Sequence, residues 1–277
     1  MECHKIGEWT IIKNHYIQFE ELKHKKEICH LFTTKPFNFN SKLISEVDIQ
    51  NQYNEIQKIL GCSFEKIVRP IQTHTNIVKA VTSENLNDKF QDVDGIVTNL
   101  KNIALVTSLA DCQGILLYDS TTQVIGNVHS GWKGTLNKIV ENAIKIMVGQ
   151  YGCKPQNISA YIAPSILKCC FEVDEDVKEK FEKEFQQHIT YNPTKHKYYI
   201  DTIAINKQVM AQTGILPDNI HTSSICTKCN SDIIHSYRAE GITSGRNIVL
   251  IALKSWPNAS TAQVNFHINK IFSKTMQ

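Results

Sequence analysis

The sequence predicts a single-domain α+β fold with mixed sheets, and three observations carry that prediction. Extended and helical segments follow one another without the strict strand–helix–strand repeat of a doubly wound sheet. Two apolar runs, 114–119 and 123–130, flank a short polar step and read as a hairpin. No Pro/Gly/Ser-rich linker, internal repeat or low-complexity tract divides the 277 residues. In chain order, "KIVRPIQTHTNIVKA" (66–80) is a broken extended segment and "IALVTSL" (103–109) a buried strand. The hairpin comes next. After "GWKG", Leu136, Ile139, Val140, Ala143, Ile144 and Met147 recur at helical spacing, which predicts a helix over 135–148 with Gly149 and Gly152 as stops. "NISAYIAPS" reads as a strand, and "DEDVKEKFEKEFQQ" as a helix whose opening acids suit its N-terminal dipole. "YYIDTIAINKQVMAQTG" is a strand running into a helix, with Asp201 as N-cap and Gly214 at its end. The tail "SDIIHSYRAEGITSGRNIVLIALK" predicts a second hairpin that ends in a buried strand.

Composition narrows the function classes. With 42% hydrophobic and 21% charged residues the chain has the balance of an ordinary globular protein. A net charge of +3, evenly spread, gives no footprint for nucleic acid. The N-terminus lacks the uninterrupted apolar core of a signal peptide, and no segment approaches the roughly 18–20 apolar residues that span a bilayer. The expectation is a cytoplasmic protein, monomeric by default, with no membrane partner. Nine cysteines at irregular spacing then read as thiols, some of them ligands, rather than as a disulfide framework.

The hairpin carries the chemistry. If its loop closes on Ser120 and Thr121, or on 119–122, counting back along both strands sets Cys112 opposite His129, with Cβ atoms about 4.5–5.5 Å apart, whereas a three-residue loop would shift the register by one. Such a pair could bind one metal ion, or the imidazole could activate the thiol. It could equally be a buried thiol beside a histidine that satisfies a backbone group. His74, in "QTH" within an otherwise apolar context, is a candidate third group, or else a polar strand residue facing solvent. Two imidazoles and a thiolate suit Zn²⁺ well and Cu²⁺ plausibly, and three protein ligands leave the fourth position open, as catalytic sites do. "CTKC" (226–229) resembles half a zinc ribbon, but no second C-x-x-C accompanies it, and Cys169 and Cys170 read as packing residues.

Six ordered blocks, "PIQTHTNIV", "DVDGIVTN", "LADCQGILLYD", "GNVHSGWKGT", "IAPSILKCCFEV" and "SICTKC…HSYRAEGITSGRNIV", resemble the YfiH-type purine nucleoside phosphorylase family, also called laccase-domain, multicopper polyphenol oxidase-like or peptidoglycan editing factor. The resemblance covers about residues 30–253 and leaves 1–29 as a variable segment of one domain spanning 1–277. It implies a four-layer α/β/β/α arrangement, and a catalytic metal site made by His74, Cys112 and His129. It implies phosphorolysis of adenosine, inosine, guanosine and methylthioadenosine, with purine nucleosides and phosphate as partners, and deamination of adenosine. Three departures stand out: "KPFNFNS" (35–41) replaces a glycine-rich segment, Lys133 stands where arginine is usual, and Phe171 where tyrosine is usual.

Further candidates follow from the chemistry. Phosphorolysis needs an anion held near C1′ of the nucleoside, and Lys133 with the "GWKGT" amides, Arg238 and Arg246 could supply that charge. Asp111 and Asp94 could orient ligand imidazoles or shuttle a proton. Competing readings are a Cys112–His129 hydrolase that edits a cell-wall precursor, a non-enzymatic metal-binding module, and a copper-dependent polyphenol oxidase. The last needs more histidine ligands than these blocks provide.

Overall fold

The structure is a computed structural model that describes residues 3–6, 9–12 and 16–255; the remainder of the 1–29 segment and the last residues of the 1–277 domain lie outside the described residues. A first sheet runs in the order β1 (Cys3–Ile6), β2 (Trp9–Ile12), β3 (Tyr16–Phe19), β4 (Ile28–Thr33), β16 (Asn247–Leu253), β8 (Ile103–Leu109), β5 (Lys66–Val68). A second runs β15 (Ile220–Thr222), β11 (Ile158–Ile162), β9 (Gln113–Asp119), β10 (Val124–Ser130), β7 (Gly95–Thr98), β6 (Val78–Ala80). The small third sheet is β12 (Glu172–Val173), β14 (Lys197–Ile200), β13 (Ile189–Asn192). Both large sheets are mixed, since β5 with β8, β6 with β7 and β11 with β15 are parallel among antiparallel neighbours.

Seven helices accompany the sheets among the described residues: α1 (Glu20–Lys23), α2 (Glu46–Leu60), α3 (Trp132–Leu136), α4 (Ile139–Tyr151), α5 (Glu175–Phe185), α6 (Thr202–Gln212) and α7 (Tyr237–Glu240). The two large sheets bury one core between them, where Phe32, Leu105 and Ile251 meet Leu116, Ile125 and Tyr161. The outer face of the first packs Leu31, Val106 and Leu250 under Ile49, Tyr53 and Ile56 of α2. The outer face of the second packs Ile115, Leu117 and Val128 against α4, α5 and α6. Helix, sheet, sheet and helices therefore form four layers, as the resemblance implies. Strands β8, β9, β10 and β16 are covered on both faces, which is why they read as unbroken apolar runs rather than as alternations.

Three local expectations are corrected. The hairpin loop is Ser120–Gln123, because the Asp119 carboxylate accepts from the Thr121 and Thr122 amides and Gln123 turns left-handed at φ 54°. Asp119 thus pairs with Val124, and His129 with Gly114 rather than with Cys112. The helix predicted over 135–148 is two helices, broken where Lys138 adopts φ 55°, and the second ends on left-handed Gly152. The predicted tail hairpin has only its final strand: residues 231–246 form α7 and tight turns, and β16 inserts between β4 and β8 instead. Asp201 does cap α6, accepting from the Ala204 amide at 2.9 Å. Against the all-thiol expectation, Cys29 and Cys62 are joined by a disulfide, while six other described cysteines are free. Among the described residues no helix is long and apolar enough to cross a membrane.

His30 of β4 supplies a stability prediction. Its Nε2 accepts from the Phe19 amide at 2.8 Å, and burial lowers its pKa from 6.5 to about 3, so the ring is neutral in the fold. Below pH 6.5 the unfolded chain takes up a proton that the folded chain refuses, so stability falls as pH drops from 6.5 towards 3, by up to about 1.4 kcal/mol per pH unit. In His30→Gln, which keeps an acceptor, the urea midpoint should fall less between pH 7 and 4.5; identical slopes would remove His30 as the cause.

Candidate metal centre

The chain passes from the first sheet to the second between β8 and β9, and the crossing segment 110–112 pairs with neither sheet. Cys112 lies at its end, two residues before the Gly114 that faces His129. Side chains two apart on a strand share a face, so the shift in register moves Cys112 along the sheet but keeps it on the side of His129. His74 enters from the loop between β5 and β6, in a left-handed conformation at φ 63° that costs about 1–2 kcal/mol for a non-glycine residue.

One carboxylate holds both histidines. Asp94, fully buried just before β7, accepts from the amides of Thr73 (3.2 Å), His74 (3.1 Å) and Thr75 (2.7 Å) and from the Thr75 hydroxyl (2.8 Å), which offsets the strain of that loop. The same group accepts from His129 Nδ1–H at 2.7 Å, leaving Nε2 to face the site. Burial alone would raise the Asp94 pKa, but these bonds, led by His129, hold it at about 2. Burial would likewise raise the Cys112 thiol, yet the charge and contact of His129, with His74 beside it, bring it down to about 6. Burial would lower His129, and the Cys112 thiolate and Asp94 instead lift it to about 9. At neutral pH the metal-free site therefore holds a thiolate beside an imidazolium.

Cys112 Sγ lies 3.8 Å from His74 Nε2, the two imidazoles meet edge-to-face with centroids 4.9 Å apart, and the ligand atoms of His74, Cys112 and His129 all fall within 4.8 Å of one another. Zinc bond lengths of ~2.05 Å to nitrogen and ~2.3 Å to sulfur give a tetrahedral edge of about 3.6 Å, so this donor set fits a divalent ion with little movement. Gly131 makes the room. A Cβ there would lie 2.7 Å from His74 Cδ2 and 3.2 Å from Cys112 Sγ.

The triad faces a cavity of about 940 Å³, large enough for a nucleoside and an anion. Arg69, Arg238 and Arg246 stand on its wall. Their guanidiniums bond to backbone carbonyls, of Phe39, of Cys170 and Glu172, and of Ser244 and Gly245 respectively. Two also lie near aromatic rings, Arg238 over Phe171 and Arg246 over Tyr237. Carbonyls orient these groups without neutralising them, so positive charge is left for an anion.

The sequence candidates sort accordingly. Asp94 lies against the His129 ring, 2.7 Å from Nδ1. Asp111 does not: its carboxylate accepts from Thr227 Oγ1, Ser236 Oγ and the Arg238 amide, each at 2.6 Å, and so fixes the segment that carries Arg238. Lys133 lies on the exposed side of α3 with Nζ 5.6 Å from the Trp132 ring centre and does not line the cavity. The substituted segment 35–41 still contributes, since Phe39, Asn40 and Ser41 line the cavity, Phe39 O anchors Arg69, and Asn38 Oδ1 accepts from the Arg246 amide. Arg69 and Gln72 escaped the sequence reading. Gln72 bonds Ser108 through both side-chain ends, tying the His74 loop to β8. A charged residue before Pro70 inside an apolar run was the one available signal for Arg69.

Comparison with known proteins agrees with this architecture. A family model described as multi-copper polyphenol oxidoreductase laccase matches residues 38–254. An adenosine deaminase from an unknown prokaryotic organism is 33% identical over 205 residues, covering 70% of this chain and 78% of its own. The purine nucleoside phosphorylase YlmD of Bacillus subtilis (strain 168) is 28% identical over 252 residues, covering 84% of this chain and 91% of its own. The crystal structure of the Bacillus licheniformis hypothetical protein YfiH superposes with a TM-score of 0.80 at 25% identity, covering 89% of this chain and 99% of that one. YlmD from Geobacillus stearothermophilus gives a TM-score of 0.81 at 21% identity, over 90% and 99%, and speaks for the fold alone. With a family match across most of its length and a relative at 33% identity, the chain belongs to the multi-copper polyphenol oxidoreductase laccase family, the group its sequence blocks resemble under the YfiH name.

Proposed function

We propose that this protein is a metal-dependent purine nucleoside phosphorylase, acting on adenosine, inosine, guanosine and methylthioadenosine, with adenosine deaminase activity in the same cavity. The observation that carries the reading is the pairing, in one cavity, of a His–Cys–His donor set with three guanidiniums that, among the described residues, bond backbone carbonyls and form no ion pair with a carboxylate. A Zn²⁺ ion held by His74, Cys112 and His129, with Cu²⁺ as the other ion the donors accept, would supply Lewis-acid polarisation and a more acidic water. The chain's own residues do the rest. Arg69, Arg238 and Arg246 bind phosphate and bring one of its oxygens to C1′; that bond forms as the C1′–N9 bond breaks, and the purine leaves with the electron pair and takes up the proton that the attacking phosphate loses. Asp94 keeps His129 in the tautomer that presents Nε2 to the site. The names carried by the relatives, phosphorylase and deaminase, agree with both activities.

The assay is adenosine with and without phosphate, with products resolved. Adenine and ribose 1-phosphate should form only when phosphate is present, inosine in both cases, and neither above background in Cys112→Ala. Loss of polarisation worth several kcal/mol predicts a fall of about three orders of magnitude in that variant. Arg246→Ala should raise the KM for phosphate and leave inosine formation near the wild-type rate; wild-type product levels equal to those of Cys112→Ala would sink the proposal.

A second reading has its own observation: Asp94, His129 and Cys112 line up as carboxylate, imidazole and lowered thiol, the arrangement of a thiol hydrolase. That enzyme, acting on an amide such as a cell-wall precursor, would keep its activity after chelation and lose it to alkylation of Cys112.

A further inference from the structure

Four of the remaining cysteines meet in one place. Cys169 and Cys170 lie in the turn that follows β11, Cys226 and Cys229 in the turn that follows β15, and these strands are parallel neighbours at the edge of the second sheet. Beyond the strands the two segments stay paired, through a bridge between Ser165 and Cys226 and the Thr227 amide on Ser165 O at 3.0 Å. The sulfurs of Cys169 and Cys170 are 3.8 Å apart, those of Cys169 and Cys229 3.9 Å, and those of Cys170 and Cys229 3.4 Å. All four lie within 4.8 Å of one another.

We propose that Cys169, Cys170, Cys226 and Cys229 form a second metal site, a closed four-thiolate centre that binds Zn²⁺ and serves structure rather than catalysis. A tetrahedral ion with Zn–S bonds of ~2.3 Å sets its sulfurs about 3.8 Å apart, close to the separations seen here. None of these four cysteines is in a disulfide. Each thiol gives up its proton on binding, and with four protein ligands no position remains for water or substrate. This is chemistry unlike that of the His74–Cys112–His129 set, which keeps one position open. The missing second C-x-x-C is supplied by adjacent cysteines from another part of the chain, a pairing that only the fold brings about.

The centre would also brace the cavity. Cys170 O and Glu172 O both accept from Arg238 Nη1 at 3.1 Å, and Phe171 between them lies under the guanidinium and lines the cavity. Tying 169–170 to 226–229 fixes the carbonyls that aim Arg238.

The test uses the full chain, purified under reducing conditions, loaded with Zn²⁺ and desalted. In a His74→Ala, Cys112→Ala, His129→Ala background the protein should retain one equivalent of zinc, and Co²⁺ in its place should show the charge-transfer intensity of four thiolates. Adding Cys169→Ser and Cys229→Ser, both at exposed positions, should remove that equivalent and the thiolate band while the far-ultraviolet circular dichroism stays that of a folded chain. If the triple background misfolds, the same two serines in the otherwise native chain should cost one equivalent relative to wild type. Zinc content unchanged by these serines overturns the proposal, and so does a mass spectrum that places Cys170 and Cys229 in a disulfide in the reduced, metal-loaded protein. The outcome does not depend on phosphorylase activity, so the two proposals fail separately.

Discussion

Replacing Asp94 with asparagine should lower the Zn²⁺ affinity proposed for the His74–Cys112–His129 set by about 10–100-fold, the range typical of carboxylates that orient metal-binding histidines. Asp94 makes more than that one contact. It accepts four hydrogen bonds from Thr73, His74 and Thr75 and a fifth from His129, so one side chain places two of the three donors. An amide of the same shape has one oxygen to offer where the carboxylate has two. Its NH₂ would face the Thr75 amide or the His129 ring nitrogen, donor against donor, and one histidine must move. Without the full set of bonds the left-handed backbone at His74 loses what offsets its strain. Competition against a chromophoric chelator measures the change. Asp92→Asn is the control, since Asp92 Oδ1 only accepts from the Thr73 hydroxyl and the Gln91 side chain at the exposed rim, and it should alter affinity little. Equal affinities for wild type and Asp94→Asn would remove Asp94 as a positioning residue.

The metal-free protein should react with iodoacetamide through Cys112 at pH 7 and lose that reactivity as pH falls through about 6. A lowered pKa means the thiolate is present above about 6 and protonated below it, and the thiolate is the nucleophile. His129, held protonated up to about 9 by Cys112 and Asp94, is the main counter-charge. In His129→Ala the thiol should return towards its ordinary 9.0, because burial is then opposed by His74 alone. At pH 7 this predicts roughly a 90-fold smaller thiolate fraction, from about nine-tenths to about one-hundredth, and a similar loss of alkylation rate. Peptide mapping separates Cys112 from the exposed Cys169 and Cys229. Zinc should protect Cys112 in wild type, and a rate independent of both zinc and His129 would show that the three side chains do not act together.

The sequence was most legible where a pattern is short-range. The buried strands over 103–109 and 247–253, the helix caps at Asp201 and Gly152, and the strand–turn–strand of the Cys112–His129 region all follow from periodicity and turn chemistry within a dozen residues. It misled where several local solutions were open. Closures on Ser120–Thr121, on 119–122 and on Ser120–Gln123 look alike in sequence, and the Asp119 side chain, by capturing two amides, selected the last. The tail looked like a hairpin because its last strand is strongly apolar, but the partners of β16 lie far away, in β4 and β8.

By itself the sequence determined the α+β class with mixed sheets, because burial periodicity is written in residue types, and its six ordered blocks, by resemblance, implied the four layers and named His74, Cys112 and His129 as candidate donors for Zn²⁺. Only the tertiary structure decided which carboxylate serves the histidines, sending Asp94 to both and Asp111 to the Arg238 segment. Only it placed Lys133 outside the cavity and Arg69 on its wall, and brought Cys169 and Cys170 to Cys226 and Cys229. Each of these depends on where separate segments cross in space, and loop closure over tens of residues leaves no period or spacing in the chain for a reader to find.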